Sequence, residues 1–161
     1  MFDQLDGLPL HPLVVHAVVV LAPLAALLSV AHLVSRWRRA LRWPIAAIAV
    51  VATISAWVAT QSGEALERAI SSQLEGNPTG ELVDEHARLG DRLFIALIVL
   101  SVVAVLVVAA SRLDRAVVGH LLAVVLAVVA IGVGVLTYQV GDKGARAVWN
   151  PTGSVDYSRT N

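Results

Sequence analysis

Four long apolar runs dominate the chain, over residues 13–34, 43–60, 93–110 and 116–138. Polar residues collect in the short stretches between them and in one longer segment, 61–92. A helix rises about 1.5 Å per residue, so runs of this length reach roughly 27 to 35 Å and can cross a hydrocarbon layer of about 30 Å. The pattern predicts an all-α integral membrane four-helix bundle. The residues before the first run include Asp3 and Asp6 and lack a basic segment, so that run is expected to be a span rather than a cleaved signal peptide.

Polar positions inside the runs follow helical periodicity. At about 100° per residue, Thr53, Trp57, Thr60, Gln61 and Glu64 share one stripe of the second helix. His86, Gly90, Phe94 and Ser101 share one on the third, and Gly134, Tyr138, Gly141 and Asp142 one on the fourth. All three stripes are most polar at the end where His11, Pro12 and His16 open the first helix. Five residues turn a helix by about 140°, so both histidines can face one centre only if His11 curls inward at the helix cap. Pro23, on the face of His16, is expected to bend the helix toward the interior. The expected cluster is His11, His16, Glu64, His86, Asp91, Tyr138 and Asp142. A competing reading pairs Glu64 with Arg68 and Asp142 with Arg146 along one helix face, while Asp84, Glu85, Arg88 and Arg92 read as a solvated face. His32 lies about 160° around the helix from His16 and is expected to face a partner or lipid headgroups. His120 lies at the same end.

Self-comparison adds a candidate duplication. Ser35-Arg36-x-x-Arg39-Ala40 matches Ser111-Arg112-x-x-Arg115-Ala116, and Gln61-x-Gly63-Glu64 with Arg68-Ala69 matches Gln139-x-Gly141-Asp142 with Arg146-Ala147. Asn77-Pro78-Thr79-Gly80 matches Asn150-Pro151-Thr152-Gly153. The preserved order predicts two repeated transmembrane hairpins, over about 8–80 and 83–153, within a single four-span domain of 1–161. Proline at the middle position bars glycosylation of either Asn-Pro-Thr.

Composition narrows the chemistry. The chain is 57% hydrophobic and 15% charged, with no cysteine, which excludes disulfides, thiolate metal sites and a thiol nucleophile within it. Twelve basic and twelve acidic residues cancel, which argues against a nucleic-acid binder. The cancellation conceals an asymmetry. The two short turns hold six arginines, Arg36, Arg38, Arg39, Arg42, Arg112 and Arg115, against the single acid Asp114, for +5. The remaining six basic and eleven acidic residues give −5. By the positive-inside rule the short turns face the cytoplasm, so both termini and segment 61–92 are expected outside.

The motif His11-Pro12-Leu13-Val14-Val15-His16, with Gly63-Glu64 after the second span, His86 before the third and Tyr138-x-x-Gly141-x-x-Gly144 after the fourth, resembles the bacterial membrane family called domain of unknown function 2231. Ala17-Val18-Val19 stands where members usually carry Phe-Pro-Ile. The resemblance implies a four-helix protein of the bacterial cytoplasmic (inner) membrane, and some similar proteins are joined to Rieske-type iron-sulfur domains, which implies electron transfer.

The leading functional expectation is a redox-linked protein binding haem b or a related cofactor, with His16 and His86 as axial ligands, Glu64 and Asp142 orienting them, Arg68 and Arg146 meeting propionates, and Tyr138 lining the site. A second is a Zn, Cu, Fe or Mn site built from His11, His16, His86, Glu64 and Asp91. A third is an accessory subunit of a larger membrane complex. The lipid bilayer, a redox or respiratory complex and a second copy of the chain are the candidate partners; nucleic acid is not. No catalytic spacing marks the chain as an enzyme.

Overall fold

The computed structural model describes residues 4–112 and 115–156. Asp3, Leu113 and Asp114, which the charge and repeat readings use, lie outside the described residues. The chain opens with a two-stranded hairpin, β1 (Gln4–Leu5) and β2 (Leu8–Pro9). Its two-residue turn is Asp6-Gly7, both with positive φ (51° and 80°), the backbone that Asp-Gly hairpin turns adopt. Four helices follow: α1 (Leu10–Ala31), α2 (Arg38–Leu74), α3 (Pro78–Ala110) and α4 (Ala116–Trp149). A short 3₁₀ turn, Ser35–Trp37, joins the first two. All four helices are long and apolar enough to cross a membrane, which makes the chain a multi-pass membrane protein. α1 runs through Pro23 without a break in its helical assignment.

Each helix packs against two neighbours, in the ring α1, α2, α3, α4 and back to α1. The interior stripes repeat at alternating three- and four-residue steps, the spacing of side chains interlocking between nearly parallel helices. On α2 the stripe is Ile45, Ala49, Ala52, Ala56 and Ala59, and on α1 it is Val18, Ala22, Ala25 and Ser29. Such small residues let two backbones approach closely, and in a membrane packing replaces the hydrophobic effect as the force between helices. α3 supplies the bulk with Leu93, Leu97, Leu100, Ala104 and Val107, and α4 fits Leu126, Ala130 and Val133 between. Thr53 and Ser101 hydroxyls, 2.9 Å apart, link α2 to α3.

Segment 61–92 is mostly helix rather than loop. α2 has 37 residues and α3 has 33, or about 55 and 50 Å at 1.5 Å per residue, well beyond a core of about 30 Å. Their polar ends, with that of α4, are therefore long enough to extend past such a core. A tight turn with Gly76 at φ 70° reverses the chain. Asn77 caps α3 by accepting the Thr79 amide at 3.1 Å, with Pro78 in the first helical turn. Gly80 is required there, because a Cβ would lie 2.6 Å from the Leu74 carbonyl oxygen. The matching Asn150-Pro151-Thr152-Gly153 does the opposite job: Asn150 ends α4, and its amide exchanges two hydrogen bonds with the Val155 backbone. One tetrapeptide starts a helix and the other stops one.

The alanine stripe sets the α1–α2 spacing. Ala52→Leu, at a fully buried position, should destabilise the protein by about 1–3 kcal/mol through overpacking, whereas Val51→Leu on the exposed face should change little. Unfolding of both variants in mixed micelles by denaturing detergent, compared with wild type, checks this.

Candidate functional site

The interior stripes continue to the end of the bundle where α1 begins, and there they carry polar groups. His11 lies seven residues before Val18 and His86 seven before Leu93, so both imidazoles fall on inward faces. Gly63 and Gly144 hold the corresponding inward positions of α2 and α4. A large ring on one helix meets a hydrogen on the next. His11 Nδ1 lies 2.8 Å from the Ala59 carbonyl oxygen, and a Cβ at Gly63 would come within 3.1 Å of the ring. His86 Nδ1 lies 2.9 Å from the Val140 carbonyl oxygen, and a Cβ at Gly144 would come within 3.0 Å. In each case the accepting carbonyl belongs to the residue four before the glycine.

The two rings meet between the hairpins, with centres 6.1 Å apart and planes at 86°. A carbonyl can only accept, so each Nδ1 carries the proton and donates it. Each neutral imidazole therefore keeps its lone pair on Nε2. The site is a pair of half-buried imidazoles, each fixed at Nδ1 by a carbonyl, so that in the neutral form the lone pair of each sits on Nε2.

The expected cluster forms only in part. His16 is exposed on the opposite side of α1, where its Nδ1 binds the Pro12 carbonyl at 2.6 Å, so it is His11, not His16, that meets His86. The rotation of about 140° between them forces the choice, and His11 faces inward from within the first helical turn without leaving the helix. The imidazoles are oriented by backbone carbonyls rather than by Glu64 and Asp142. Those acids pair along their own helices instead. Glu64 lies 3.7 Å from Arg68, and Arg146 Nε donates to both Asp142 carboxylate oxygens at 3.0 Å. Asp91 is exposed, and Tyr138 is 75% exposed. Among the described residues no three His, Asp or Glu side chains gather as a metal-binding group, so the set His11, His16, His86, Glu64 and Asp91 is not assembled.

Two features escaped the sequence reading. Lys143 bridges to Glu85 across α3 and α4 at 2.8 Å, one residue from both Gly144 and His86, and no local spacing signals a pair between distant helices. The counterpart of Gly63 is Gly144, three residues after the Gly141 that self-comparison matches to it; the histidine-to-glycine packing could have signalled this, the shared Gln-x-Gly could not. His32, expected to face outward, is buried at 3% exposure. The error follows from His16: His11, Val18, Ala25 and His32 recur every seven residues, so once His11 turns inward His32 does as well.

The fold and site together define a four-span membrane bundle with paired histidines at one end. A family model described as "Predicted membrane protein (DUF2231)" matches residues 7–156, and the chain belongs to that family. No curated protein and no solved structure matches it.

Gly144→Ala should push the His86 ring off its carbonyl. The Nδ1 hydrogen bond should weaken at a cost of about 0.5–1.5 kcal/mol in stability, with Gly63→Ala acting likewise on His11. Nitrogen NMR of imidazole-labelled protein should find both histidines protonated at Nδ1 in the wild type and lose that uniform signature in each variant.

Proposed function

We propose that this is a redox-linked membrane protein that binds a haem, or a related tetrapyrrole, through His11 and His86. The carrying observation is the donor set. Two imidazoles, each held at Nδ1 by a backbone carbonyl, lie with ring centres 6.1 Å apart, and no third His, Asp or Glu gathers with them among the described residues. A bare Zn, Cu, Fe or Mn ion generally needs three or four protein ligands, whereas a tetrapyrrole brings four nitrogens of its own and asks the protein for two axial ones.

The spacing fits as well. With metal–nitrogen bonds of roughly 2 Å, two imidazoles sharing one metal have ring centres roughly 6 Å apart, against 6.1 Å between these rings. The Ala59 and Val140 carbonyls, 2.8 and 2.9 Å from the Nδ1 atoms, would hold the rings for ligation through Nε2 and raise its basicity, as acceptors behind ligating histidines do. Arg146, two residues beyond Gly144, and Arg68, five beyond Gly63, would receive propionates by exchanging their present carboxylate partners. When bound, the group would supply one-electron transfer; the chain itself supplies ligation, orientation and a membrane position.

The matched histidine-to-glycine contacts also support reading the chain as a duplicated hairpin. The arginine-rich turns support an orientation with those turns in the cytoplasm and the histidine pair, with both termini, outside, in the bacterial inner membrane.

Protein purified from haem-replete cells should show a Soret band and a reducible low-spin spectrum. His11→Ala and His86→Ala should each abolish that spectrum and His16→Ala should leave it intact. A colourless wild-type preparation, or loss of the spectrum only on substitution of His16, would overturn the proposal.

A further inference from the structure

At the opposite end of the bundle the same inward stripes terminate in cationic and imidazole groups. His32 continues the α1 stripe, and Arg38 and Arg42 continue that of α2, four residues apart and leading into Ile45 and Ala46. His120 precedes Ala123 on the stripe of α4 by three residues. Arg38 is occupied: its guanidinium donates to the His32 and Leu33 carbonyls at 3.2 and 3.3 Å, capping the end of α1, and lies 3.4 Å from His120 Nδ1.

Two buried polar atoms at this end, His32 Nδ1 and Arg42 Nε, have no hydrogen-bond partner among the described residues. An unmet buried donor on a charged group is costly, and such groups are nearly always satisfied. The six arginines of the two turns have no carboxylate partner among the described residues. One tautomer of the His32 imidazole places its N–H at this unpaired Nδ1, where it can donate. The missing partner is an acceptor carrying negative charge.

We infer that this end of the bundle is a seat for a phosphate group, with half-buried Arg42 and buried His32 as its donors and the surrounding arginines supplying the field. The position favours the phosphate of an anionic phospholipid. Trp37 and Trp43, both exposed beside the seat, mark the depth where indoles settle among headgroups. Basic pockets between helices at that depth suit acidic headgroups. Arg36 stacks over Trp37, 5.1 Å from the ring centre, which leaves Arg39 and Arg42 as the cations of the first turn with no partner among the described residues. They differ usefully: Arg39 is exposed and Arg42 is half-buried on the inward face.

Native mass spectrometry of the delipidated full-length protein in neutral detergent, titrated with phosphatidylglycerol, phosphatidylcholine or inorganic phosphate, tests the inference. Phosphatidylglycerol should bind at least about tenfold more tightly than phosphatidylcholine. Arg42→Gln should weaken it by about tenfold, the loss of one charge-assisted contact, while Arg39→Gln, with the same loss of charge, should stay within about threefold. Retention of inorganic phosphate with displacement of the lipid would reassign the same seat to free phosphate. Equal binding of the two lipids, or equal losses in the two arginine variants, would overturn it. The lipid comparison uses wild-type protein, so it decides the matter even if Arg42→Gln does not fold.

Discussion

The rotational setting of α1 is the constraint on which the rest depends. Ala22, Ala25 and Ser29 are small enough to lie directly against the alanines of α2, and no other face of α1 offers such a stripe; the opposite side carries Val20 and Leu27, which are 62% and 70% exposed. In a membrane apolar surface gains nothing by leaving lipid for protein, so close packing decides which face turns inward. Once that face is set, the seven-residue recurrence brings His11 to one end of the interior and His32 to the other, and sends His16 out.

The two ends use that interior differently. At one, polar demand is met inside the protein: each imidazole donates to a carbonyl of the adjacent helix, and a glycine makes room for it. A carbonyl oxygen has a second lone pair beyond the one used in its helix, so Ala59 and Val140 can accept from the imidazoles from inside α2 and α4 and fix the tautomer at no cost in buried charge. At the other end, Arg38 is spent on capping α1 while Arg42 and His32 keep unmet atoms. The chain thus meets the polar demand of one end from within, while at the other two buried atoms stay unmet among the described residues. The ion pairs Glu64–Arg68 and Asp142–Arg146 are exposed and belong to neither; pairs of that kind contribute about 1 kcal/mol or less.

Polar side chains along a helix stripe were a poor guide to the site, and small residues a better one. Thr53, Trp57 and Glu64 suggested an inward polar face on α2, yet the buried stripe is the alanine series one position away, ending at Ser62 and Gly63. Trp57 and Glu64 are exposed where the helix reaches the membrane boundary, which is where amphipathic and charged side chains are least costly. The expected carboxylates failed to reach the histidines for a similar reason. An arginine four residues along the same helix is always within reach, whereas a site on another helix requires the right rotation of both.

Sequence by itself determined the four spans, the helix-start histidines, the charge asymmetry between the two ends and the family, because hydrophobic length, motif and charge are properties of the chain read in order. It could also state that His11 and His16 lie about 140° apart around the helix, so that both could face one centre only if His11 curled inward at the cap. Which of the two faces inward, and therefore that His11 meets His86 over two glycines while His32 is buried at the far end, was decided only in the tertiary structure. The physical reason is that the phase of a membrane helix is set by the neighbour it packs against: one rotation of α1, chosen by alanines in its middle, assigns the polar residues at both of its ends.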